Sequence, residues 1–205
     1  MADRALAIDI GGTKLACGLV DADGLIEHRR QAPTGDGDDG EARFATLVEL
    51  VDAVLLAGGL DDPVVCGVGC GGPMTDGGTT VSPVNIGAWR HFPLRDRLAA
   101  HFGVPTFVDN DAKALALGEG WVGAAAGERN FLAMVVSTGV GGGLVLDGRL
   151  VDGADGNAGH IGHVIVEPDG APCGCGARGC LEAEASGTGI HRATGRPAHE
   201  ADVTV

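Results

Sequence analysis

Tyrosine is absent from the 205-residue sequence, and aromatic residues make up only 3% of it. Proteins that bind single-stranded nucleic acid stack bases on aromatic side chains, so this class is disfavoured. Lysine and arginine number 14 against 28 aspartates and glutamates, which gives a formal net charge of -14. An acidic chain repels phosphate backbones, so we expect no nucleic-acid partner. Backbone amides can still bind a small phosphate ligand without any net positive charge.

Long apolar runs are also missing from the sequence. None approaches the roughly 20 residues that cross a bilayer, and Met1 to Arg4 carry no charged segment followed by an apolar core. We therefore expect no signal peptide, no membrane partner and a cytoplasmic location. In a reducing compartment the six cysteines are not expected to form three disulfides. Cys17, Cys66 and Cys70 lie in apolar or glycine-rich surroundings and are interpreted as small core residues.

Apolar runs alternate with glycine-rich turns, and the chain contains 37 glycines. Strands and helices in alternation are typical of α/β architecture. The predicted strands are 5–10, 15–20, 25–30, 64–68, 104–108, 131–136 and 143–146, and the predicted helices are 41–57, 94–102 and 112–122. A strand, a small polar glycine turn and a second strand occur twice, which suggests an internal duplication. We expect two domains, 1–112 and 113–205.

Three cysteines fall within eight residues, at Cys173, Cys175 and Cys180, and His163 lies ten residues upstream of the first. Cys3His is one of the standard ligand sets for a tetrahedral structural zinc, and the intervening glycines allow the backbone to fold tightly. A filled shell of this kind leaves no open position for water, so we expect structural Zn2+. A disulfide or three free thiols are the alternatives.

Two glycine-rich turns are candidate phosphate sites. The segment Asp9–Lys14 (DIGGTK) exposes consecutive backbone N–H groups that can hold phosphate oxygens, and Thr13 adds a hydroxyl. Asp9 can hold Mg2+ through water. The segment lacks the spacing of a P-loop or of a dinucleotide-binding turn. Ser137–Gly143 (STGVGGG) is the second candidate. A plain hairpin turn is the alternative for both.

The triplet Asp109-Asn110-Asp111 follows a predicted strand, at the edge where open α/β sheets bind ligands. A carboxylate there could accept the proton of a hydroxyl that attacks a phosphoryl group. The alternative is a helix N-cap, since Ala112 begins a predicted helix. One residue can serve both purposes.

From Asp9 to about Gly187, and most specifically in the cysteine motif, the sequence resembles the ROK family (repressors, open reading frames and sugar kinases). The resemblance implies the actin-like, hexokinase-like ATPase fold, with two ribonuclease-H-like domains around a cleft and the second domain incomplete here. It implies phosphorylation of a hexose at its 6-hydroxyl, of glucokinase type, with ATP and Mg2+ and with Asp111 as the base. The implied zinc ligands are His163, Cys173, Cys175 and Cys180.

The resemblance also assigns residues to each substrate. The implied ATP phosphate ligands are Asp9, Gly11, Gly12, Thr13, Lys14, Ser137, Thr138, Gly139 and Gly141. The implied sugar ligands are Asn85, Asn110, Asp111, His160, His163 and Glu182. His160 stands where many sugar kinases of the family have glutamate, and imidazole both donates and accepts whereas a carboxylate only accepts. His160 can equally be a loop residue, and the choice among glucose, N-acetylglucosamine and N-acetylmannosamine stays open.

Members of the family are usually longer than this chain. We expect a C-terminal truncation, because Thr194 to Val205 shows no strand, cap or core pattern, and an exposed apolar surface where the absent segment would pack. A non-catalytic sugar-binding fragment is therefore an alternative to a kinase, and polyphosphate is an alternative donor. A sugar-responsive repressor is disfavoured because no helix-turn-helix precedes Asp9. A homodimer or homotetramer is expected.

The flanks of the cysteine motif suggest what zinc does. His163 belongs to the histidine segment, and Glu182 follows Cys180 by two residues. Zinc would then fix two sugar-contacting segments. We expect its loss to weaken sugar binding and local folding together, and to affect the phosphate turns less.

Overall fold

The structure is a computed structural model and describes residues 3–59, 63–156 and 158–201. The chain divides into two compact units, Met1–Ala114 and Leu115–Val205. The division falls inside a helix, close to the boundary that the sequence predicts at residue 112. Each unit combines a sheet with helices, as the α/β pattern predicts.

The first unit is built on a five-stranded sheet with the order β3-β2-β1-β4-β5. Its strands are β1 Ala5–Ile10, β2 Lys14–Val20, β3 Ile26–Pro33, β4 Val65–Cys70 and β5 Thr106–Asn110. β2 is antiparallel to both of its neighbours, whereas β1, β4 and β5 are parallel. The chain therefore starts as the predicted meander and then adds parallel strands through helical crossovers.

Helix α1, Gly40–Ala57, crosses from β3 to β4. The Asp39 carboxylate caps it by accepting hydrogen bonds from two backbone N–H groups of the first turn. Its buried face packs on the sheet, and Leu47 is fully buried. Trp89 is also fully buried, stacks on Phe92 with 4.6 Å between ring centroids, and donates its indole N–H to the Gly40 carbonyl. Trp89 is thus a core residue of the first unit.

Two further helices frame β5. Helix α2, Leu94–Phe102, precedes it and ends at Gly103, which has φ of 70°. Helix α3, Asp111–Trp121, begins immediately after β5. The direct passage from strand to helix makes Asp111 the first helical residue, at the carboxyl edge of the sheet.

The second unit contains a three-stranded antiparallel sheet, β6-β7-β8. Its strands are β6 Phe131–Val136, β7 Val140–Leu146 and β8 Arg149–Leu150. Two short helices follow, α4 Leu181–Ala185 and α5 Gly187–Thr194. The predictions did not include β8, α4 or α5.

The β6–β7 hairpin differs from its prediction in one respect. β7 begins at Val140 and not at residue 143, so the turn is only three residues long. Gly141 pairs with Val135 in the ladder, and Gly142 is also a strand residue. A Cβ on Gly142 would lie 2.6 Å from Ile161 Cδ1. The glycine run therefore extends the strand where another segment packs closely on it, because glycine alone leaves room there.

The end of the described chain is more ordered than expected. Gly195, with φ of 70°, caps helix α5 in the left-handed conformation. A single 3-10 turn follows at Ala198–Glu200. The expectation that no cap lies beyond Thr194 is therefore wrong for this part, and residues 202–205 lie outside the described chain.

One face of strand β6 is apolar and partly exposed. Leu132, Met134 and Val136 alternate along the strand, so they share one face, and each is about half exposed. What packs on this face stays a prediction. Across the described ranges, no helix combines the length and apolar character needed to span a membrane.

Candidate functional site

Three aspartates of the first unit, Asp9, Asp109 and Asp111, lie at or just after the carboxyl ends of β1 and β5. In the sheet register Asp9 lies opposite Gly69, and Gly69 lies opposite Asp109. A Cβ placed on Gly69 would lie 3.5 Å from the Asp111 Cα. The backbone of Asp111 therefore packs against the middle strand β4 at Gly69. Ligands of open α/β sheets bind at this edge.

The Asp111 carboxylate influences the ionisation of Asp9. Partial burial raises the pKa of the Asp9 carboxyl, and the Asp111 carboxylate raises it further, whereas Lys14 and Arg29 lower it. Both aspartates still reach solvent, so a ligand can approach them. A bound cation would stabilise the Asp9 carboxylate, whose charge is disfavoured by burial and by the neighbouring carboxylate.

The first glycine turn, Gly11, Gly12 and Thr13, connects β1 to β2. It is closed by the Gly11 N–H, which donates to the Lys14 carbonyl at 3.0 Å. Thr34 holds it from the side: its hydroxyl donates to the Gly11 carbonyl at 2.7 Å, and its N–H donates to the Thr13 carbonyl at 3.1 Å. Within the described residues the N–H groups of Gly12 and Thr13 donate no hydrogen bond. They are available to an anion.

Thr34 is itself fixed by Arg43 of helix α1. Arg43 Nε donates to the Thr34 carbonyl at 2.9 Å, and Nη2 donates to the carbonyls of Gly35 and Gly37, both at 2.8 Å. Arg43 is only 7% exposed and Thr34 only 4%. Sequence reasoning missed both residues. Arg43 could have been found from its position in the helix, because it precedes Leu47 by four residues and therefore shares the buried face of α1.

Two predicted sugar ligands lie beside these elements. A Cβ on Gly12 would come 2.6 Å from the Asn85 Cβ, so Asn85 packs directly on the first glycine turn. Asn110 ends β5, and its side-chain oxygen accepts the Ala112 N–H at 3.0 Å. Asp111 Oδ1 accepts the same N–H at 2.9 Å. Both side chains therefore also cap helix α3, which was the alternative interpretation of the triplet.

An ion pair between the buried Lys113 and the partly exposed Asp109 fixes the start of helix α3. Lys113 Nζ lies 2.7 Å from Asp109 Oδ1, and the lysine side chain is 3% exposed. The same oxygen accepts the Asn110 N–H at 2.7 Å. Asp109 thus holds the strand end and the helix start together, on either side of Asp111.

The second glycine turn, Ser137, Thr138 and Gly139, connects β6 to β7. It is closed by the Ser137 N–H, which donates to the Gly139 carbonyl at 2.9 Å. The Val140 N–H, at the start of β7, donates to Glu182 Oε2 at 2.9 Å. Glu182, a predicted sugar ligand, therefore contacts the predicted phosphate turn of the same unit.

The four predicted metal ligands converge. Cys173 Sγ lies 3.7 Å from His163 Nδ1, Cys175 Sγ lies 3.7 Å from Cys180 Sγ, and all four ligand atoms lie within 4.8 Å of one another. Sulfur and nitrogen ligands of a tetrahedral zinc are separated by about 3.4–3.8 Å. The cluster could therefore hold a tetrahedral metal ion without a change of fold.

The other three cysteines are buried free thiols. Burial raises the pKa of Cys17 to about 11, and raises those of Cys66 and Cys70 to about 12. A protonated, buried thiol is unreactive. This confirms their interpretation as core residues.

His160 precedes a 3-10 turn, Ile161–His163, and its ring centroid lies 6.2 Å from that of His163. Glycines on both sides of His160 allow the segment to approach β7: Gly159 has φ of 97°, and a Cβ on Gly162 would collide with the Val140 carbonyl. His160 itself is exposed. It is placed on a tightly packed segment next to the cluster.

The predicted site residues thus form one group in each unit. The first group comprises Asp9, Gly11, Gly12, Thr13, Lys14, Asn85, Asn110 and Asp111. The second comprises Ser137, Thr138, Gly139, Gly141, His160, His163, Cys173, Cys175, Cys180 and Glu182.

Known proteins resemble this chain in sequence and in structure. A glucokinase from Halalkalibacterium halodurans is 41% identical over 197 residues, which are 94% of this chain and 59% of that protein. An N-acetylmannosamine kinase from Citrobacter koseri is 43% identical over 185 residues, 90% of this chain and 62% of that protein. The crystal structure of a ROK family glucokinase from Streptomyces griseus in complex with glucose and AMPPNP matches with a TM-score of 0.81 and 36% identity. It covers 92% of this chain and 59% of that one.

The chain therefore spans about three-fifths of the length of these relatives. The ROK family model matches residues 5–204, almost the whole sequence. The fold agrees as well, since both units have the mixed α/β organisation of the hexokinase-like structures. On these matches, the chain belongs to the ROK family.

Proposed function

We propose that this chain carries the catalytic residues of a hexose kinase of glucokinase type, which transfers the γ-phosphoryl group of ATP to the sugar 6-hydroxyl. The observation that carries the proposal is the carboxyl edge of the first sheet. Asp111, Asp9 and the free N–H groups of Gly12 and Thr13 belong to the same edge of one unit. A base, a cation site and an anion site are the elements that phosphoryl transfer needs.

In this proposal Asp111 is the catalytic base. The sugar 6-oxygen attacks the γ-phosphorus and forms the new O–P bond, while the bond from that phosphorus to the β–γ bridging oxygen breaks. The hydroxyl proton passes to the Asp111 carboxylate. ADP leaves with the bridging oxygen, so atoms and charges balance. Asp109 and Lys113 hold the backbone on which Asp111 is placed.

The glycine turns hold the phosphates. The N–H groups of Gly12 and Thr13 would bind phosphate oxygens in the first unit, together with the Lys14 ammonium and the Thr13 hydroxyl. The second turn would do the same in the second unit. Asp9 would hold Mg2+ through water, and Mg2+ when bound neutralises charge on the phosphate oxygens.

The Cys-His cluster would hold structural Zn2+. Three sulfurs and one imidazole nitrogen are the soft and borderline ligands that zinc prefers, and their spacing fits a tetrahedron. His163 faces Cys173 through Nδ1, which leaves the other ring nitrogen as the atom that would meet a sugar hydroxyl. A cytoplasmic location stays a prediction.

The sugar is the less determined part of the proposal. An N-acetylhexosamine kinase is the second candidate, because N-acetylmannosamine kinases are among the relatives at 43% identity. His160, Glu182 and Asn85 would contact the sugar in either case. A non-catalytic sugar-binding fragment is the third candidate. Homodimer or homotetramer formation and the absence of nucleic-acid and membrane partners stay predictions.

A substrate panel tests the proposal. Purified chain with Mg2+ and ATP would be offered glucose, mannose, N-acetylglucosamine, N-acetylmannosamine and fructose, with polyphosphate as a second donor. We expect phosphorylation of glucose with the highest kcat/KM, and a loss of about 10²–10⁴-fold in kcat for Asp111→Asn.

Asp96→Asn is the matched control, because Asp96 is an exposed aspartate paired with Arg95 away from the strand edge. It should keep the activity of the parent chain. Sugar binding without phosphorylation of any member of the panel would support the non-catalytic candidate. Full activity in Asp111→Asn would remove Asp111 as the base.

A further inference from the structure

The segment that follows the Cys-His cluster contacts the second glycine turn at several points. The Gly187 N–H donates to the Ser137 carbonyl at 2.7 Å, and the Thr188 hydroxyl donates to the Thr138 carbonyl at 2.9 Å. Both donors belong to the first turn of helix α5. These contacts link residues about fifty positions apart in the sequence, so the turn is held by another part of the fold as well as by its own hairpin.

The contact is also sterically tight. A Cβ on Gly187 would lie 2.8 Å from the Ser137 carbonyl oxygen, and a Cβ on Gly139 would collide with the Glu182 carboxylate. Glycine is therefore required on both sides of the contact, once in the turn and once in α5. The turn has little freedom to move toward the helices.

These hydrogen bonds determine where the turn's own N–H groups point. In a planar trans peptide unit the C=O and the N–H point in opposite directions. Gly187 binds the Ser137 carbonyl, so the N–H of Thr138 points away from α5. The Thr188 bond to the Thr138 carbonyl turns the N–H of Gly139 away in the same manner. Neither N–H donates a hydrogen bond to any described residue.

We infer that Thr188 and Gly187 are positioning residues for phosphate: they orient the peptide units of the second glycine turn so that the N–H groups of Thr138 and Gly139 face an incoming anion. The inference rests on the proposed function, because the anion would be a phosphate of the nucleotide. Two adjacent, outward N–H groups are the arrangement that binds a phosphate oxygen.

The positioning segment is attached to the Cys-His cluster. Cys180 is the N-cap residue of helix α4, and the Leu181 N–H donates to the Val164 carbonyl at 2.9 Å, next to His163. Glu182 of α4 accepts the Val140 N–H of the hairpin. Helices α4 and α5 therefore connect the Cys-His cluster to the second glycine turn, so a change in the position of the cluster would also move the residues that contact the turn.

Thr188→Val tests the inference, because valine keeps the shape and loses only the hydroxyl donor. We expect the apparent affinity for Mg2+-ATP to fall about three- to tenfold, as for the loss of one hydrogen bond. The affinity for the sugar should stay within about twofold of the parent value. Thr188→Ser restores a hydroxyl and should return the nucleotide affinity to near the parent value.

Thr194→Val is the matched control on the same helix. Its hydroxyl donates to the Ile190 carbonyl at 2.8 Å and does not contact the turn. It should leave nucleotide affinity unchanged. Equal losses in Thr188→Val and Thr194→Val, or equal losses for sugar and nucleotide, would overturn the inference and indicate a general effect on stability.

Hydrogen exchange separates this inference from the proposed function. The exchange is measured in ligand-free protein, so it does not depend on whether the chain can bind nucleotide. Thr188→Val should accelerate amide exchange in the peptide that contains residues 137–140. If the parent chain binds no nucleotide, the proposed function fails, and the exchange rates still decide the role of Thr188. Unchanged exchange in both Thr188→Val and Gly187→Ala would refute the positioning role.

Discussion

The two glycine turns are each held by a hydrogen bond from a threonine hydroxyl, but the two threonines are held by different parts of the fold. In each, a threonine hydroxyl donates to a turn carbonyl, Thr34 to Gly11 and Thr188 to Thr138. Thr34 is buried and held by the equally buried Arg43, whereas Thr188 is exposed on a short helix beside the Cys-His cluster. The buried pair Thr34 and Arg43 therefore holds the first turn, whereas helices α4 and α5, beside the Cys-His cluster, hold the second.

Because their supports differ, different changes should disrupt the two turns. The core of the first unit contains large, fully buried side chains, while the buried cluster around the second sheet consists of Ala116, Ala133 and Val145. A small core contributes little stabilisation. A bound metal would supply stability that the small core of the second unit does not, because the free energy of binding to a site that exists only in the folded state adds to the free energy of folding.

Removal of the proposed Zn2+ should give the largest effect. Chelation of the purified protein should unfold the loop around Cys173–Cys180, and with it the support of the second turn. We expect nucleotide affinity to fall at least about tenfold while sheet signals from the first unit persist. This differs from the expectation from sequence that zinc loss affects the phosphate turns less than it affects sugar binding. Titration calorimetry with metal content measured on the same sample checks it, and full nucleotide affinity in metal-free protein would contradict it.

Arg43→Met should give the next largest effect, on stability. Three carbonyls would lose a charged donor inside the first unit, and each such hydrogen bond contributes about 1.5–3 kcal/mol. We expect the free energy of unfolding to fall by about 4–5 kcal/mol, which is the lower end of that sum, measured by denaturant titration. Arg43→Lys retains the charge and should recover part of the loss. A loss below about 1 kcal/mol for Arg43→Met would show that the core holds Thr34 without the arginine.

Thr34→Val should have a smaller effect, because it removes one hydroxyl donor from the Gly11 carbonyl. We expect a loss of about 1 kcal/mol in stability and a three- to tenfold loss in nucleotide affinity. Thr34→Ser keeps the donor and should remain near the parent protein. An unchanged nucleotide affinity in Thr34→Val would separate the first turn from phosphate binding.

Asp9→Asn should give the smallest change in stability, and its sign depends on pH. The folded state raises the pKa of Asp9, so it favours the protonated form, and ionisation at neutral pH opposes folding. The variant should therefore unfold at a slightly higher temperature than the parent at pH 7. The difference should shrink as pH falls through the folded pKa and vanish below the ordinary value of 3.8. Thermal unfolding at pH 7 and pH 4 would check this, and a lower unfolding temperature at pH 7 would contradict it.

The sequence predicts the first unit better than the second, for physical reasons. The β1–β2 hairpin and helix α1 of the first unit follow from apolar periodicity, which is a local pattern. In the second unit the β6–β7 hairpin and the converging cysteines follow from local patterns in the same way, whereas the short helices do not. Arg43 lies on an apolar helix face, and a periodicity count ignores the one charged residue that is buried there. Helices α4 and α5 are short, and α5 contains Gly187 and Gly189, so both show little helical pattern.

The partners of Thr34 and Thr188 are not visible in sequence either. Each hydroxyl bonds a carbonyl that is distant along the chain, by 23 and 50 residues respectively. Only the strand pairing and the packing of α5 on the hairpin bring these groups together. The supports of a site are thus harder to infer from sequence than the site itself.

Hydrogen exchange of both glycine turns in matched threonine variants tests the central claim most directly. We expect a crossed result: Thr34→Val accelerates exchange in the peptide containing residues 11–14 and leaves 137–140 unchanged, and Thr188→Val does the reverse. Acceleration of both turns by either variant, or of neither turn by both, would contradict the account that each turn has its own support.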